Sequence, residues 1–344
     1  MDLMKAAVFH GPGRVRVESV DRPQAGRGGL LIRVDVAMVC ATDVKTWQAG
    51  HPLIVPPIVL GHEFAGTVLE MHGVPGFAPG DRATAAPYIE CGQCYFCRHG
   101  VPELCETKDY PSNGAFAEYV WVSRRFARRG VARLAPDLPR EAGAFIEPLA
   151  CVLNGLEEVH FRRGEFAAIV GGGPMGLLHV LALRDQAAGL LVSEPEPERR
   201  DAASRLGAQA CDPAQAHSAL LERTEGRGAD VVVVAVGSPA VAAASLPLAR
   251  RGGRVLWFGG FPRDVPAAID PNIVHYRQVA VHGTTGFASR HFRRAAAMVT
   301  QGLDPTPLIT HRLPLSHVVE ALELAASRKA LKVALVIAES GDAG

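Results

Sequence analysis

Four cysteines, Cys91, Cys94, Cys97 and Cys105, fall within fifteen residues in the pattern Cys-x2-Cys-x2-Cys-x7-Cys. Thiolates spaced this closely converge on one ion, with Gly92, Gly100 and Pro102 supplying the turns, and four sulfurs at about 2.3 Å make a closed tetrahedral zinc site. Such a site stabilises a lobe and performs no chemistry, because binding the ion contributes directly to folding. Buried thiols, disulfides or an iron–sulfur cluster are the other chemistries that this set allows. A second group of ligand-type residues is scattered: Cys40 in VCATDVK, His62 and Glu63 in VLGHEFAG, and Glu147 in FIEPLACVLNG. None is diagnostic alone, since a single histidine or cysteine is more often a packed structural residue. Cys40, His62 and Glu147 nevertheless each follow an apolar residue, where a buried element meets a cleft. A thiolate, an imidazole and a carboxylate together suit Zn2+ and leave one position open, as a Lewis acid for an alcohol requires. A third motif, Gly171-Gly172-Gly173-Pro174-Met175-Gly176, has the Gly-x-Gly-x-x-Gly spacing that cradles a dinucleotide pyrophosphate.

The elements that must position these groups are legible as two patterns. Lys5–Phe9, Val15–Val20 and Leu30–Ala37 read as short strands between Gly and Pro clusters, and turns stay dense to about residue 115. From about residue 148 strands alternate with helices. Phe166–Val170, Leu190–Ser193, Val231–Val236 and Arg254–Phe258 are strands, with helices from the glycine turn to about Ala187 and over Glu198–Leu206. That alternation predicts a parallel, doubly wound sheet. Phe292–Thr300 and His317–Ser327 read as helices and Lys332–Ala338 as a closing strand, so the α/β unit is inserted into another domain. The glycine turn follows a strand and opens a helix, which is the context the fingerprint needs. Glu194 ends the next strand, where a carboxylate bonds ribose hydroxyls and repels a 2′-phosphate. NAD is therefore expected over NADP, although Arg199 and Arg200 stand close by.

Composition sets outer bounds. The chain has 344 residues with a net charge of +1, 48% apolar and 21% charged side chains, as expected of two globular domains. No charge excess favours nucleic acid, and the Arg124–Arg129 run reads as a solvated face. Val231 to Ala249 carries no charge, but Gly237, Ser238 and Pro239 interrupt it, so strand, turn and helix are expected rather than a membrane span. The N-terminus lacks the apolar core of a signal peptide, and the clustered cysteines point to a reducing, cytoplasmic setting.

Cys40-Ala41-Thr42-Asp43, Gly61-His62-Glu63, the four-cysteine segment, Glu147-Pro148-Leu149 and the glycine fingerprint stand in the order found in one family. The chain resembles the zinc-containing medium-chain alcohol dehydrogenases, in the sorbitol/L-threonine dehydrogenase-like branch, over nearly its whole length. The resemblance implies a GroES-like β-rich catalytic domain (1–148 and 288–344, with a structural zinc lobe at about 88–110) and a Rossmann domain (149–287), the active site lying in the cleft between them. It also implies two zinc ions per chain. Cys40, His62 and Glu147 would hold the catalytic ion, Glu63 being a ligand or an exchangeable neighbour, and Cys91, Cys94, Cys97 and Cys105 the structural one. Asp43 would orient His62, and Thr42 would bond the substrate oxygen and begin a proton relay. Gly171, Gly173, Pro174, Met175, Gly176, Glu194 and Arg199 would hold the cofactor. The implied reaction is hydride transfer between a secondary alcohol on a sugar, polyol or cyclitol and NAD, giving the ketone, by a homodimer or homotetramer.

Two positions depart from that pattern. Lys45 stands where many members carry the histidine that finishes the proton relay, leaving His51 or Glu63 with water as substitutes. The Arg-Tyr pair with which sorbitol dehydrogenases grip polyols is replaced in His282-Gly-Thr-Thr-Gly-Phe287, by this register, with Gly286 and Phe287. The segment SEPEPERR resembles zinc dehydrogenases of aminocyclitols and keeps cyclitols and amino sugars among the candidates. L-Threonine-type oxidation of an amino alcohol would use the same zinc and cofactor residues. A non-catalytic dinucleotide-binding protein is the reading from another class; retention of all four candidate ligands argues against it.

Overall fold

The computed structural model describes residues 2–24, 28–52 and 54–338. The chain divides into two compact units, Met1–Ala150 with Phe287–Gly344, and Cys151–Gly286.

In the first unit, β1 (Leu3–Gly11) turns at Pro12-Gly13 into β2 (Arg14–Asp21), with β4 (Ile58–Val59) on the other edge of β1. The second sheet centres on β3 (Gly29–Met38), whose run GLLIRVDVAM is buried almost throughout and is paired along both edges. On one edge it pairs antiparallel with β5 (Glu63–His72), followed by β6 (Arg82–Ala85) and β8 (Val131–Arg133). The other edge is shared by β7 (Tyr119–Ser123) and β16 (Lys332–Val336), and β15 (Ile309–Pro314) lies beyond β16. β3 ends at Met38 two residues before Cys40, β5 begins on Glu63, and β16 begins on Lys332. Three strand termini at one sheet thus carry three groups with charge.

In the second unit, β9 (Phe166–Val170), β10 (Gly189–Ser193), β11 (Gln209–Cys211), β12 (Ala229–Val234), β13 (Ala249–Trp257) and β14 (Ala280–Gly283) form one sheet, ordered β11-β10-β9-β12-β13-β14. Every pairing is parallel. Strands buried on both faces read as continuous apolar runs, as AAIV and VVVV do here. The order reverses between β9 and β12, where a doubly wound sheet opens a crevice at its carboxyl ends for a ligand.

The segment Val231 to Ala249 divides as its glycine, serine and proline predict. It holds most of β12, a helix at Pro239–Ser245 capped by Ser238, and a short 3-10 turn. Among the described residues no helix is long and apolar enough to cross a membrane. Two boundaries differ most from the sequence expectation. The helix from the glycine turn ends at Leu183 rather than near Ala187, and β13 starts five residues early because Ala249 pairs with Ala229 across a register shift.

Candidate active site and metal centres

Cys40 caps the helix Ala41–Ala49, its Sγ accepting the Thr42 N–H at 3.5 Å. The cap occupies one of the first-turn amides that a helix leaves unpaired. Asp43, 3% exposed, organises the rest: its Oδ2 accepts the Cys40 N–H at 2.9 Å and its Oδ1 the Gly61 N–H at 3.2 Å. The same Oδ1 stands 3.5 Å from His62 Nδ1, so a His62 that donates through Nδ1 presents Nε2 to a cation. Gly61, at φ +90°, makes the turn that aims His62, and a Cβ there would meet the Phe116 ring at 2.3 Å. Donor atoms of Cys40, His62 and Glu63 lie within 4.8 Å of one another. Glu147, buried at the start of the helix Ile146–Glu158, is outside that set.

The electrostatics are those of a site built around positive charge. Burial alone would lower the His62 pKa, but Asp43 and then Cys40 outweigh it and hold the imidazolium well above its usual 6.5. Burial pushes Glu147 up to about 7, against His62 and with Glu63 adding repulsion. Glu63 is fully buried and its Oε1 has no hydrogen-bond partner among the described residues. Its Oε2 meets Lys332 Nζ at 2.5 Å. A half-buried sulfur, a half-buried imidazole and a buried carboxylate with an unpaired oxygen fit a divalent cation of the zinc type.

In the second centre, Sγ atoms of Cys91 and Cys97 are 3.9 Å apart and those of Cys94 and Cys105 are 3.8 Å apart. Sulfurs about 2.3 Å from a common centre lie about 3.8 Å apart in a tetrahedron, so the spacing fits zinc. Backbone N–H groups of Gln93 and Cys94 donate to Cys91 Sγ at 3.4 and 3.3 Å, and that of Cys91 to Cys105 Sγ at 3.2 Å. The Thr107 hydroxyl and those amides hold the Cys91 thiol down to about 5, while burial drives Cys97 up to about 12. Four thiols this close ionise together only with a cation among them. No sequence pattern singles out Glu90, which braces this lobe. Its Oε2 accepts the Ser289 hydroxyl at 2.7 Å and amide at 3.1 Å, and its Oε1 meets Arg129 at 2.5 Å. Arg125 reaches the Cys91 carbonyl at 3.3 Å, so the arginine run is not simply a solvated face: two of its members hold the cysteine lobe.

In the second unit the glycine turn joins β9 to the helix Pro174–Leu183, whose N-cap Gly173 leaves the first amides without a side-chain cap. Gly176 is required by close packing, since a Cβ there would lie 1.9 Å from the Gly171 carbonyl oxygen. Glu194 is buried at the end of β10, its Oε2 accepting the Gly172 N–H at 2.6 Å and its Oε1 the Glu196 N–H at 3.1 Å. Arg200 is occupied by the carbonyls of Glu194 and Pro195, whereas Arg199 stands beside Gly173. On the same helix His179 is fully buried, its Nδ1 bonded to the Met175 carbonyl at 2.7 Å and its Nε2 without a hydrogen-bond partner among the described residues.

Burial lowers the His179 pKa from 6.5 to about 4. Between those values an unfolded chain binds a proton that the folded one refuses, so this residue costs stability as pH falls, by about 3 kcal/mol at pH 4. His179→Leu is expected to flatten the loss of stability between pH 6.5 and 4. Urea unfolding at several pH values reads this directly, and an unchanged slope would remove His179 from the account.

The other singled-out residues are placed as follows. Thr42 and Lys45 are both exposed on the helix Ala41–Ala49, three residues apart and so on one face. His51 forms an isolated bridge with Ile54. Gly286 makes a turn at φ +56°, its carbonyl held by Asn154 Nδ2 at 3.1 Å. Phe287 is buried, stacked on Tyr88 and donating its N–H to the Tyr88 hydroxyl. Lys332 is the site residue that the sequence reading missed. A lysine opening the apolar run KVALV was the available signal.

A β-rich unit with two cation-type donor sets and a unit with a dinucleotide turn define a zinc-binding dehydrogenase. Residues 26–130 match the alcohol dehydrogenase GroES-like domain, and residues 174–301 match the zinc-binding dehydrogenase domain. D-altritol 5-dehydrogenase of Agrobacterium fabrum is 32% identical, over 91% of this chain and 94% of its own. L-threonine 3-dehydrogenase of Thermococcus kodakarensis is 31% identical, over 96% of each. A putative zinc-binding dehydrogenase of Sinorhizobium meliloti, solved bound to NADP, superposes with a TM-score of 0.89 at 32% identity, covering 98% of this chain and 100% of that one. The chain belongs to the zinc-containing medium-chain alcohol dehydrogenase family, and is an oxidoreductase acting on alcohol groups.

Proposed function

We propose that the protein oxidises a secondary alcohol on a hydroxylated small molecule, of the sugar, polyol or cyclitol class, to the ketone with NAD, reversibly. The observation that carries this is the convergence of Cys40, His62 and Glu63 on one small volume. Cys40 and His62 hold the catalytic zinc together with a carboxylate, Glu63 and Glu147 exchanging in that role, and the four clustered cysteines hold a second. Bound there, zinc supplies a Lewis acid that lowers an alcohol's pKa, and the dinucleotide supplies the hydride acceptor. Asp43 fixes the ring of His62. The Thr42 hydroxyl bonds the substrate oxygen and takes its proton toward solvent. Lys45, on the same helical face, replaces the usual histidine and contacts the ribose. The proton leaves Thr42 by way of water.

The carboxyl end of β10 supports NAD. Each Glu194 oxygen spends one lone pair on a backbone amide and keeps another for a ribose hydroxyl. Its charge opposes a 2′-phosphate, and Arg200 is held by backbone carbonyls. The NADP of the Sinorhizobium structure is a property of that protein. Glu194→Ala is expected to raise the ratio of kcat/KM for NADP over NAD at least about tenfold, or 1.4 kcal/mol. A ratio unchanged in a folded variant would reject Glu194 as the discriminating residue.

At the polyol-gripping register stand a glycine turn and a buried, stacked phenylalanine, which argues for a substrate other than sorbitol. The decisive assay follows NADH formation by zinc-replete protein across polyols, cyclitols, amino sugars and L-threonine. Turnover of L-threonine alone selects the amino-alcohol reading suggested by the Thermococcus relative, and no turnover of any secondary alcohol or ketone rejects the proposal. The clustering of four cysteines in a metal-type pattern supports a reducing, cytoplasmic compartment, and family resemblance supports a homodimer or homotetramer.

A further inference from the structure

The end of the parallel sheet opposite the glycine turn gathers positive charge. β9 runs five residues from Phe166 to Val170, about 16 Å, so the loop that precedes it is far from the turn that follows it. That loop, over 159–165, and the first residues of β13 line a cavity of about 220 Å3 formed by His160, Arg162, Glu165, Arg250, Gly252 and Arg254. The cavity opens where β13 leaves its ladder: Ala249 pairs with Ala229, the next pair is Arg254 with Val231, and the residues between are left out of the pairing. No apolar side chain lines it.

Three guanidiniums and an imidazole meet one carboxylate there. Two of the guanidiniums are locked. Arg254 pairs with Glu165 at 2.5 Å, each side chain 14% exposed, and donates to the carbonyls of Val159 and His160 at 2.9 Å. Arg250 bonds Asp230 at 2.6 Å and the Arg251 carbonyl at 2.7 Å. Arg162 differs: Glu165 Oε2 fixes its amide at 2.8 Å, but its guanidinium makes no hydrogen bond or ion pair among the described residues. His160 sits on a left-handed backbone, φ +48°, which the bond from Arg254 to its carbonyl holds. A non-glycine residue keeps such a conformation only where its surroundings fix it. Glu165 and Asp230 thus balance Arg254 and Arg250, and Arg162 is the charge left over. Arg163 and Arg251, both exposed, add to it from the flanks. Glu158, which acts on His282 together with His160 and Arg254, is the acid that opposes it. Cations gathered around one cavity repel one another, and an anion among them relieves that repulsion.

We infer that this cavity binds a tetrahedral oxyanion, either free phosphate or the phosphate group of a small phosphorylated molecule, with Arg162 as its free fork. A guanidinium meets phosphate oxygens two at a time, and Arg250 and Arg254, already immobilised by their own partners, lose little freedom when the anion arrives. The volume lies below the ~300–1,000 Å3 of sites for drug-sized ligands, which suits phosphate on a short stem and excludes a dinucleotide. The site stands apart from the proposed dehydrogenase chemistry and is read without turnover.

The test is isothermal titration of the full chain with inorganic phosphate, with and without saturating NADH, because the glycine turn is itself a phosphate cradle. The wild type is expected to bind one phosphate per chain in the millimolar range, equally well with NADH present, with sulfate competing and chloride at the same ionic strength not. Arg162→Gln should bind phosphate at least about tenfold more weakly, the equivalent of 1.4 kcal/mol. Its thermal midpoint without phosphate and its affinity for NADH should stay those of the wild type, since the guanidinium has no partner to lose. Arg162→Lys, a charge without the fork, should fall between. Arg294→Gln, which removes an exposed arginine of the other unit, should bind as the wild type does. Glucose 6-phosphate separates the two sources: tighter binding than inorganic phosphate assigns the site to a phosphate monoester, weaker binding to the free ion. No saturable binding by the wild type would overturn the inference, as would equal affinity in Arg162→Gln. Equal losses in the two glutamine variants would reduce it to general charge attraction, and displacement of phosphate by NADH would move the anion to the glycine turn; either result rejects the cavity.

Discussion

Cys40→Ser is expected to lower turnover about a thousandfold and to remove one of the two zinc ions proposed for each chain. Polarising the reacting oxygen with a metal ion contributes several kcal/mol, and each 1.36 kcal/mol is a factor of ten in rate. A serine hydroxyl is not ionised near neutral pH and is a hard, weak ligand where a thiolate was anionic and soft. It still caps the helix Ala41–Ala49, serine being a favoured N-cap, so the fold should survive. The thermal midpoint is therefore expected to stay close to that of the wild type while activity collapses, which separates a chemical role from a structural one. Metal analysis and NADH formation on the same preparation check both halves. Two zinc ions retained with near-normal turnover would show that Cys40 is an ordinary capping residue and would withdraw the site from it.

What could be read in the sequence divides by distance along the chain. The glycine turn and the cysteine lobe are local: strand, turn and helix follow within fifteen residues, and their spacing carries the chemistry. The parallel sheet was legible because its apolar strands alternate with helices at regular intervals. Lys332 was not, because its meaning comes from Glu63, which packs against it only after β16 has joined β3. Glu90 was hidden for the same reason, its partner Ser289 being 199 residues away. Neither spacing nor periodicity reports on such pairs; a charged residue at an otherwise apolar position is the trace they leave. The arginine run shows the reverse error. Charge density alone reads as solvated, whereas Phe126, Ala127 and Gly130 bury the helix Arg124–Gly130 on the sheet and aim Arg125 and Arg129 at the lobe. The helix ending at Leu183 was overextended because Ala187 and Ala188 are good helix formers, yet they lead into β10.

Cys97→Ser is expected to produce the opposite separation, a large loss of stability from a residue that touches no substrate. Zinc bound by short cysteine peptides contributes about 10–16 kcal/mol of apparent folding energy. Here the lobe is also braced by Glu90, Arg125 and Arg129, so the loss should be a fraction of that, about 3–5 kcal/mol, or about 5–10 °C in thermal midpoint for a chain of this size. The altered protein should bind one zinc, be cut first by proteases within Cys91–Cys105, and keep dinucleotide binding, since the glycine turn belongs to a separate unit. Glu90→Gln offers an independent route to the same lobe. It leaves the four thiols in place but weakens the contacts to Ser289 and Arg129, so protease sensitivity should rise with both zinc ions still bound. A Cys97→Ser protein with full zinc content and wild-type stability would mean that the four sulfurs, 3.8–3.9 Å apart in pairs, are packed thiols. In that case the lobe would owe its order to the carboxylate and the two arginines alone.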